Sequence, residues 1–374
     1  MSANSKGKIR AGIVGIGNWG RYGHIPVLQL LPDFQIVAVS SRRQEYAAEI
    51  AKNFGVPHAF TNAQELIIHP EVDLVIVLPP APQHGALVRD AIAAGKDVYC
   101  EWPLTTNRED TEDLLARAEG AGVRHIVGLQ RRLGPSARYV RDLLAAGYVG
   151  KMRSVRLHVS MNYFQGQRST DLRWTIPAEN FSHILSIYGG HFMDLLFQVV
   201  GAPQTVSAVV QNQFPNITLI ETGETFPNTT PDQVLVIGTL ANGAVFTIQI
   251  EGGKRNNSGL QIDITGMEGD LKVSNSLSFG NAEDNKIEGV KGDGEPLRLL
   301  PIPERYHDLP ASALDASVLD LAYLYAAYAN DRENGTSVAP TFADAVKMHR
   351  LLDLISAASS TGTRQTVNFW RSSG

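Results

Sequence analysis

A single cysteine, Cys100, in 374 residues leaves no partner for a disulfide within the chain and no thiolate set for a metal. It fits a reducing compartment, so the cytoplasm is the expected location, and no metal site is expected. Long hydrophobic runs are missing too. The polar stretch Met1 to Gly7 leads into no signal-like apolar segment, and no run approaches the roughly 20 residues that cross a bilayer. An excess of positive charge is also lacking: 33 Lys and Arg against 38 Asp and Glu give a net charge of -5. With no basic face and no helix-turn-helix pattern, neither nucleic acid nor an anionic membrane is an expected partner. What remains, at 43% hydrophobic and 19% charged residues, is a globular chain long enough for two domains, with a small molecule as the expected ligand. Asn216-Ile217-Thr218 and Asn228-Thr229-Thr230 match the glycosylation acceptor pattern but, without a secretion signal, are read as polar turns.

The stretch Lys8 to Gly20 is an apolar run ending in Gly15-Ile16-Gly17-Asn18-Trp19-Gly20. Glycines at this spacing after a buried strand allow a tight turn at Gly15, approach of a pyrophosphate at Gly17, and close helix packing at Gly20. The following helix would turn its free N–H groups toward the phosphates. Phe34 to Ser40 reads as a second buried strand and Arg43 to Phe54 as a helix. At the end of that strand NAD-binding sites carry an acidic residue for the ribose; here stand Ser40-Ser41-Arg42-Arg43. Two guanidinium groups suit a 2′-phosphate, so NADP is expected ahead of NAD, the plainer alternative being that both arginines are merely solvated. Val72 to Leu78, Asp97 to Cys100 and Val123 to Gly128 read as further strands. The helices between them, His84 to Ala94 and Asp110 to Ala121, specify a parallel sheet covered on both faces. Pro79-Pro80-Ala81-Pro82 follows a strand at the carboxyl edge, where ligands bind in such folds. His84 either faces the cofactor there or simply opens a helix.

Beyond Arg131 the pattern changes. After a helix over Ser136 to Ala146, Val155, Leu157, Val159 and Met161 alternate with polar residues, the mark of a half-exposed antiparallel strand. Val206 to Phe214, Gln233 to Leu240, Ala244 to Glu251, Leu260 to Gly266 and Asp270 to Ser274 read likewise, with turns at Asn242-Gly243 and Met267-Glu268-Gly269. Gly280 to Gly294 reads as a mobile surface loop. The runs through Leu314, Val318, Leu321 and Tyr325, and through Ala345, Met348, Leu352 and Ile355, have helical spacing, and their apolar stripes are expected to pack on a sheet.

The glycine motif, Val72-Asp73-Leu74-Val75-Ile76-Val77 with Pro79 and His84, Ala94-Gly95-Lys96-Asp97-Val98-Tyr99-Cys100-Glu101-Trp102-Pro103-Leu104, Gly189-Gly190-His191-Phe192-Met193-Asp194, and Thr265-Gly266-Met267-Glu268-Gly269 resemble, in this order, the glucose–fructose oxidoreductase / inositol dehydrogenase / rhizopine catabolism (Gfo/Idh/MocA) family. The resemblance implies an α/β chain. Residues 1-128 would form a Rossmann NAD(P)-binding domain and residues 129-374 an α+β domain with a large, mainly antiparallel open sheet for substrate binding and for homodimer or homotetramer formation. It also implies NAD(P)-dependent oxidation or reduction of sugars, polyols or related compounds. Two departures stand out. The family's Glu-Lys-Pro is here Glu101-Trp102-Pro103, and an indole neither carries charge nor moves a proton at neutral pH. The family's aspartate four residues before the catalytic histidine is here Ile187.

On this resemblance His191 is the candidate general acid/base, with Tyr188 as a second catalytic candidate. Gly15, Gly17, Asn18, Trp19, Gly20, Ser41, Arg42, Arg43, Pro79, His84, Glu101, Trp102, Pro103 and Gln130 are the candidate cofactor residues, with a cis bond expected before Pro103. Trp102, Arg132, Tyr163, His191 and Lys254 are the candidate substrate contacts. Asp194 either orients His191 or forms a salt bridge elsewhere. Trp102, Gly128-Leu129-Gln130-Arg131 and Glu251-Gly252-Gly253-Lys254 also resemble the subgroup typified by the fungal galactose-regulon repressor. That subgroup implies a second reading: a nucleotide-binding regulator that works through protein contacts.

Overall fold

A computed structural model describes residues 7–254, 256, 258–279 and 284–370. The chain separates into two compact units.

The first unit comprises the chain up to Gln130 with Leu309–Ala313 and Val318–Val346. Six strands, β1 (Ile9–Val14), β2 (Phe34–Ser40), β3 (His58–Phe60), β4 (Leu74–Val77), β5 (Asp97–Cys100) and β6 (His125–Val127), form one parallel sheet in the order β3-β2-β1-β4-β5-β6. β4 is buried at every residue and β1 at all but Arg10, as expected for strands covered on both faces. Helices α1 (Ile25–Leu30), α2 (Gln44–Phe54), α3 (Ala63–Ile67), α4 (His84–Ala93) and α5 (Arg108–Ala121) link the strands. The direction of the chain order reverses between β1 and β4, and ligands bind outside the strand ends at such a switch point. Helix α8 (Ala316–Asn334) contributes to this unit from Val318 onward. Its Tyr325 ring packs against Phe34 and Tyr99, at centroid distances of 5.5 and 5.2 Å, and the Tyr328 hydroxyl donates to Asp97.

The second unit is built on a nine-stranded sheet. Its strands are β7 (Met152–Ser160), β9 (Pro203–Gln211), β12 (Gln233–Leu240), β13 (Val245–Glu251), β14 (Gly259–Gly266), β15 (Gly269–Asn275), β16 (Lys286–Lys291), β17 (Arg298–Leu299) and β18 (Gln365–Thr366). All neighbours are antiparallel except β7 and β13. The alternation seen in β7 is real: Val155, Leu157 and Val159 are buried while Arg153 and Arg156 are not. Helices α6 (Pro135–Ala145) and α7 (Gly190–Val200) belong to this unit, as does most of α9 (Phe342–Thr361). A small sheet of β8 (Gln167–Arg168), β10 (Asn216–Leu219) and β11 (Thr225–Pro227) closes over Ile176, Ile217 and Leu219.

Two expectations need correction. The stretch read as a mobile loop contains β16, which pairs with β15 from Lys286 opposite Ser274 to Lys291 opposite Gly269; its first residues, 280–283, lie outside the described residues. Ile287 is buried there, so alternation within a charged segment outweighed composition. Nor are both acceptor-like sites polar turns. Asn216 starts a strand, and Asn228 is buried with its amide donating to the Phe214 carbonyl. The turn at Asn242-Gly243 is present, with Gly243 at φ 88° and the Asn242 side chain accepting from the Ala244 N–H. No described helix is long and apolar enough to cross a membrane.

Candidate functional site

The loops leaving four adjacent strands of the first unit line one cleft of about 890 Å³. Gly15, Ile16 and Gly17 follow β1; Ser41, Arg42 and Arg43 follow β2; Thr61, Asn62 and Ala63 follow β3; Leu78, Pro79 and Pro80 follow β4. Gly15 has φ 83°, and a Cβ there would stand 3.0 Å from the Pro79 ring, so both backbone and space require glycine. At Gly17 a Cβ would meet no protein atom within 4 Å. The glycine there leaves open room over the loop, as a diphosphate requires, instead of satisfying protein packing. Gly20 would press on Leu78 at 3.1 Å, the close approach of helix to sheet.

Among the described residues lining the cleft there is no carboxylate. Arg42 and Arg43 are exposed at its rim, the Ser41 hydroxyl accepts from the Arg43 N–H at 3.4 Å, and the Arg43 guanidinium lies 4.8 Å over the Tyr46 ring. Tyr46, Asn62 and Gln83 line the cleft without having been anticipated. Tyr46 could have been found, because it lies one helical turn beyond Arg43 on the same face. The cleft therefore fits a dinucleotide: open backbone at the glycine turn, and hydroxyl and guanidinium groups at the other end.

Behind the glycine turn, Glu101 collects donors. Its Oε1 accepts from Trp19 Nε1 at 3.1 Å, Tyr99 Oη at 2.6 Å and His24 Nε2 at 2.8 Å, while His24 Nδ1 meets the Tyr325 hydroxyl at 2.8 Å. The tautomer that satisfies both contacts has the proton on Nε2. Burial, followed by the Glu101 charge, pushes the Tyr99 and Tyr325 phenols well up and so keeps them as neutral donors. Glu101 thus anchors Trp19 beside the turn. Asn18 is exposed next to it.

The bond between Trp102 and Pro103 is cis, as expected, and Trp102 is buried. His84 does not face a ligand. It is buried with Nδ1 against the Pro103 carbonyl at 2.8 Å and Nε2 against the Pro79 carbonyl, so it ties two loops together and offers no ring nitrogen to a cofactor. Burial holds its pKa down, against the pull of those two carbonyls. Gln130 is buried and its Oε1 has no hydrogen-bond partner among the described residues.

In the second unit the helix carrying His191 begins with a wide turn, Leu185–Gly189, in which the Gly189 N–H donates to the Ile184 carbonyl five residues back. His191 and Tyr188 are both buried against Phe279, at centroid distances of 5.7 and 4.5 Å. Phe192 and Phe164 complete the apolar wall around Tyr188, and Tyr163 lies 6.5 Å from it. Burial raises the Tyr188 pKa far above its ordinary value, so the phenol stays protonated. Backbone bonds from Gly253 to Tyr163 and from Lys254 to Met161 bring the Lys254 loop alongside. The Lys254 ammonium donates to Glu251 at 3.1 Å, and Glu251 also takes His158. Arg131 was not anticipated; its guanidinium lies 4.3 Å over the Phe279 ring and donates to the Phe279 carbonyl.

Arg132, expected at the substrate, is instead locked in a buried, two-point ion pair with Asp194, with Nε donating to Oδ2 at 2.8 Å and Nη2 donating to Oδ1. The same pair gives Asp194 one of the two roles expected of it, a salt bridge.

Comparison with known proteins agrees with this architecture. Residues 9–129 match the family described as an oxidoreductase family with an NAD-binding Rossmann fold, and residues 135–275 match the Gal80p C-terminal domain. The dehydrogenase aclE of Aspergillus oryzae is 33% identical over 224 residues, covering 58% of this chain and 61% of that protein. The galactose/lactose metabolism regulatory protein GAL80 of Saccharomyces cerevisiae is 24% identical over 414 residues, covering 96% of this chain and 94% of that protein. A levoglucosan dehydrogenase solved with NADH and L-sorbose superposes with a TM-score of 0.83 at 19% identity, covering 96% of this chain and 99% of that one, a likeness of fold. With its parallel-sheet unit matched by the first model and its open-sheet unit by the second, the chain belongs to the Gfo/Idh/MocA oxidoreductase family, in the group that carries a Gal80-like C-terminal domain.

Proposed function

We propose that this protein is an NADP-preferring oxidoreductase acting on a hydroxyl or carbonyl compound of the sugar or polyol type in the cytoplasm. The observation that carries the reading is the cleft of the first unit, with open space above Gly17 and arginines instead of a carboxylate at its far end. Gly15, Gly17 and Gly20 cradle the diphosphate, Ser41, Arg42 and Arg43 hold the 2′-phosphate, and Trp19, fixed by Glu101, flanks the loop. The bound nicotinamide supplies or accepts the hydride. His191 takes or returns the hydroxyl proton at Nε2, since its Nδ1 is buried. Tyr188, held neutral by burial, donates to the same oxygen, and Tyr163 and Lys254 border the substrate. Family membership, the likeness to a dehydrogenase and the sugar-derived ligand of the levoglucosan dehydrogenase support the substrate class.

The Gal80-like half favours a second reading, a regulator that binds the nucleotide without turnover. Trp102 and Ile187, where the resemblance implies Lys and Asp, point the same way. Absorbance of the reduced nicotinamide on a panel of sugars and polyols separates the two. Turnover that His191→Ala lowers by about 100-fold or more, the usual weight of a general acid/base, supports the enzyme. Cofactor binding with no turnover on any compound, and recovery of a specific protein partner, supports the regulator. A homodimer or homotetramer through the open sheet is also proposed. Val209, Leu235, Ile237 and Val245, on neighbouring strands, are large apolar residues left exposed.

A further inference from the structure

We propose that His58, His69 and Glu71 form a binding site for a first-row transition-metal dication, with zinc as its test ion. The three come from two separate pieces of backbone at the free edge of the parallel sheet. His58 lies on the three-residue edge strand β3, and His69 and Glu71 lie in the turn between α3 and β4. Their ligand atoms all fall within 4.8 Å of one another, and they are the one such group of three among the described residues. The imidazoles of His58 and His69 are 4.4 Å apart, and His58 Nε2 is 3.0 Å from Glu71 Oε2. Donors around a tetrahedral zinc with bonds of about 2.0–2.1 Å stand roughly 3.3 Å apart, so small side-chain rotations close the set.

The backbone beneath is already held. The His69 N–H donates to the Leu66 carbonyl and the Val72 N–H to the His69 carbonyl, and Lys96 Nζ donates to the carbonyls of both His69 and Val72, at 3.0 and 2.7 Å. Phe60 supports both imidazoles, with centroids 6.2 Å from His58 and 5.6 Å from His69. Arg10, whose field reaches Glu71, is itself clamped by Asp73 through two nitrogens, which limits its repulsion of a cation. An isolated surface pair of His58 and Glu71 would need neither the second imidazole nor this support, and would contribute little. Two imidazoles and one carboxylate select zinc and its neighbours over calcium or magnesium, which take oxygen sets. With His58 35% and Glu71 52% exposed, water completes the coordination. A bound ion would staple the short edge strand β3 to the turn leading into β4.

Calorimetric titration of the full chain with zinc in a non-chelating buffer at pH 7.5 tests this. The expected result is one zinc per chain at micromolar or tighter affinity, weakened at least about tenfold by His58→Ala or by His69→Ala and also by Glu71→Gln, and unchanged by His307→Ala, which removes an exposed histidine outside the three-residue group. Zinc at about 100 times its dissociation constant should also raise the melting temperature of the wild type by roughly 5 °C, and should not raise that of a variant lacking both histidines. Absence of uptake at sub-millimolar zinc overturns the proposal, as does a stoichiometric site that survives in the double variant. Glu71→Gln, changing an exposed side chain, keeps the test decisive if a histidine variant fails to fold.

Discussion

The cleft of the first unit and the cluster around His191 in the second are built in opposite ways. The cleft is backbone shaped by neighbours in sequence: the glycine turn, the end of β2 and the prolines after β4 each occupy a few consecutive residues, and the sheet aligns their ends. The cluster is side chains gathered from Tyr163, Tyr188, His191, Lys254 and Phe279, held by buried aromatic contacts and an internal ion pair. The first should tolerate loss of a buried contact but not a blocked loop. The second should show the reverse.

The largest effect is expected at Arg132. Arg132→Ala removes the two-point cationic partner of the buried Asp194 carboxylate and should cost about 3–5 kcal/mol of stability, read as a shifted midpoint in urea unfolding. A loss of under about 1 kcal/mol would show that the pair is not what holds the cluster. Next comes Gly17→Val. No protein atom lies within 4 Å of a Cβ there, so the melting temperature should stay near the wild-type value while NADP affinity falls roughly 100-fold, the cost of one overpacked contact. Equal damage to stability and binding would erase the contrast between the two regions. A pH series sharpens it from the other side. His183 lies two residues before the wide turn that leads to His191, and burial lowers its pKa from about 6.5 to about 4, so between those values the unfolded chain binds a proton that the folded chain refuses. Stability should therefore decline as pH falls from 6.5 to 4, by on the order of 3 kcal/mol from this group, and His183→Gln should flatten the slope of the urea midpoint against pH. A slope unchanged in that variant would assign the effect to other groups.

The same contrast explains what could be read in advance. Five of the six parallel strands and most of the open sheet follow from apolar runs and alternation, and the glycine turn follows from spacing, whereas β3, three residues long and nowhere fully buried, left no such signal. Hidden were features that depend on distant partners. His84 stands near the cleft in sequence, yet the fold turns its ring toward two proline carbonyls. Arg132 and Asp194, 62 residues apart, spend their charges on each other. Tyr325 closes the Glu101 network from more than 200 residues away, and Phe279 supplies the surface on which His191, Tyr188 and Arg131 meet. The wide turn before His191 also changes the face-to-face spacing expected of a regular helix, which residue counting from Ile187 could not register.

At the far end of the cleft, which sets the choice between the two coenzymes, Ser41, Arg42 and Arg43 stand in place of a carboxylate. Calorimetric titration with NADPH and NADH tests it directly. The expected result is tighter binding of NADPH, by about tenfold or more, with the advantage abolished in Arg42→Ala. Equal or tighter binding of NADH by the wild-type protein would contradict it.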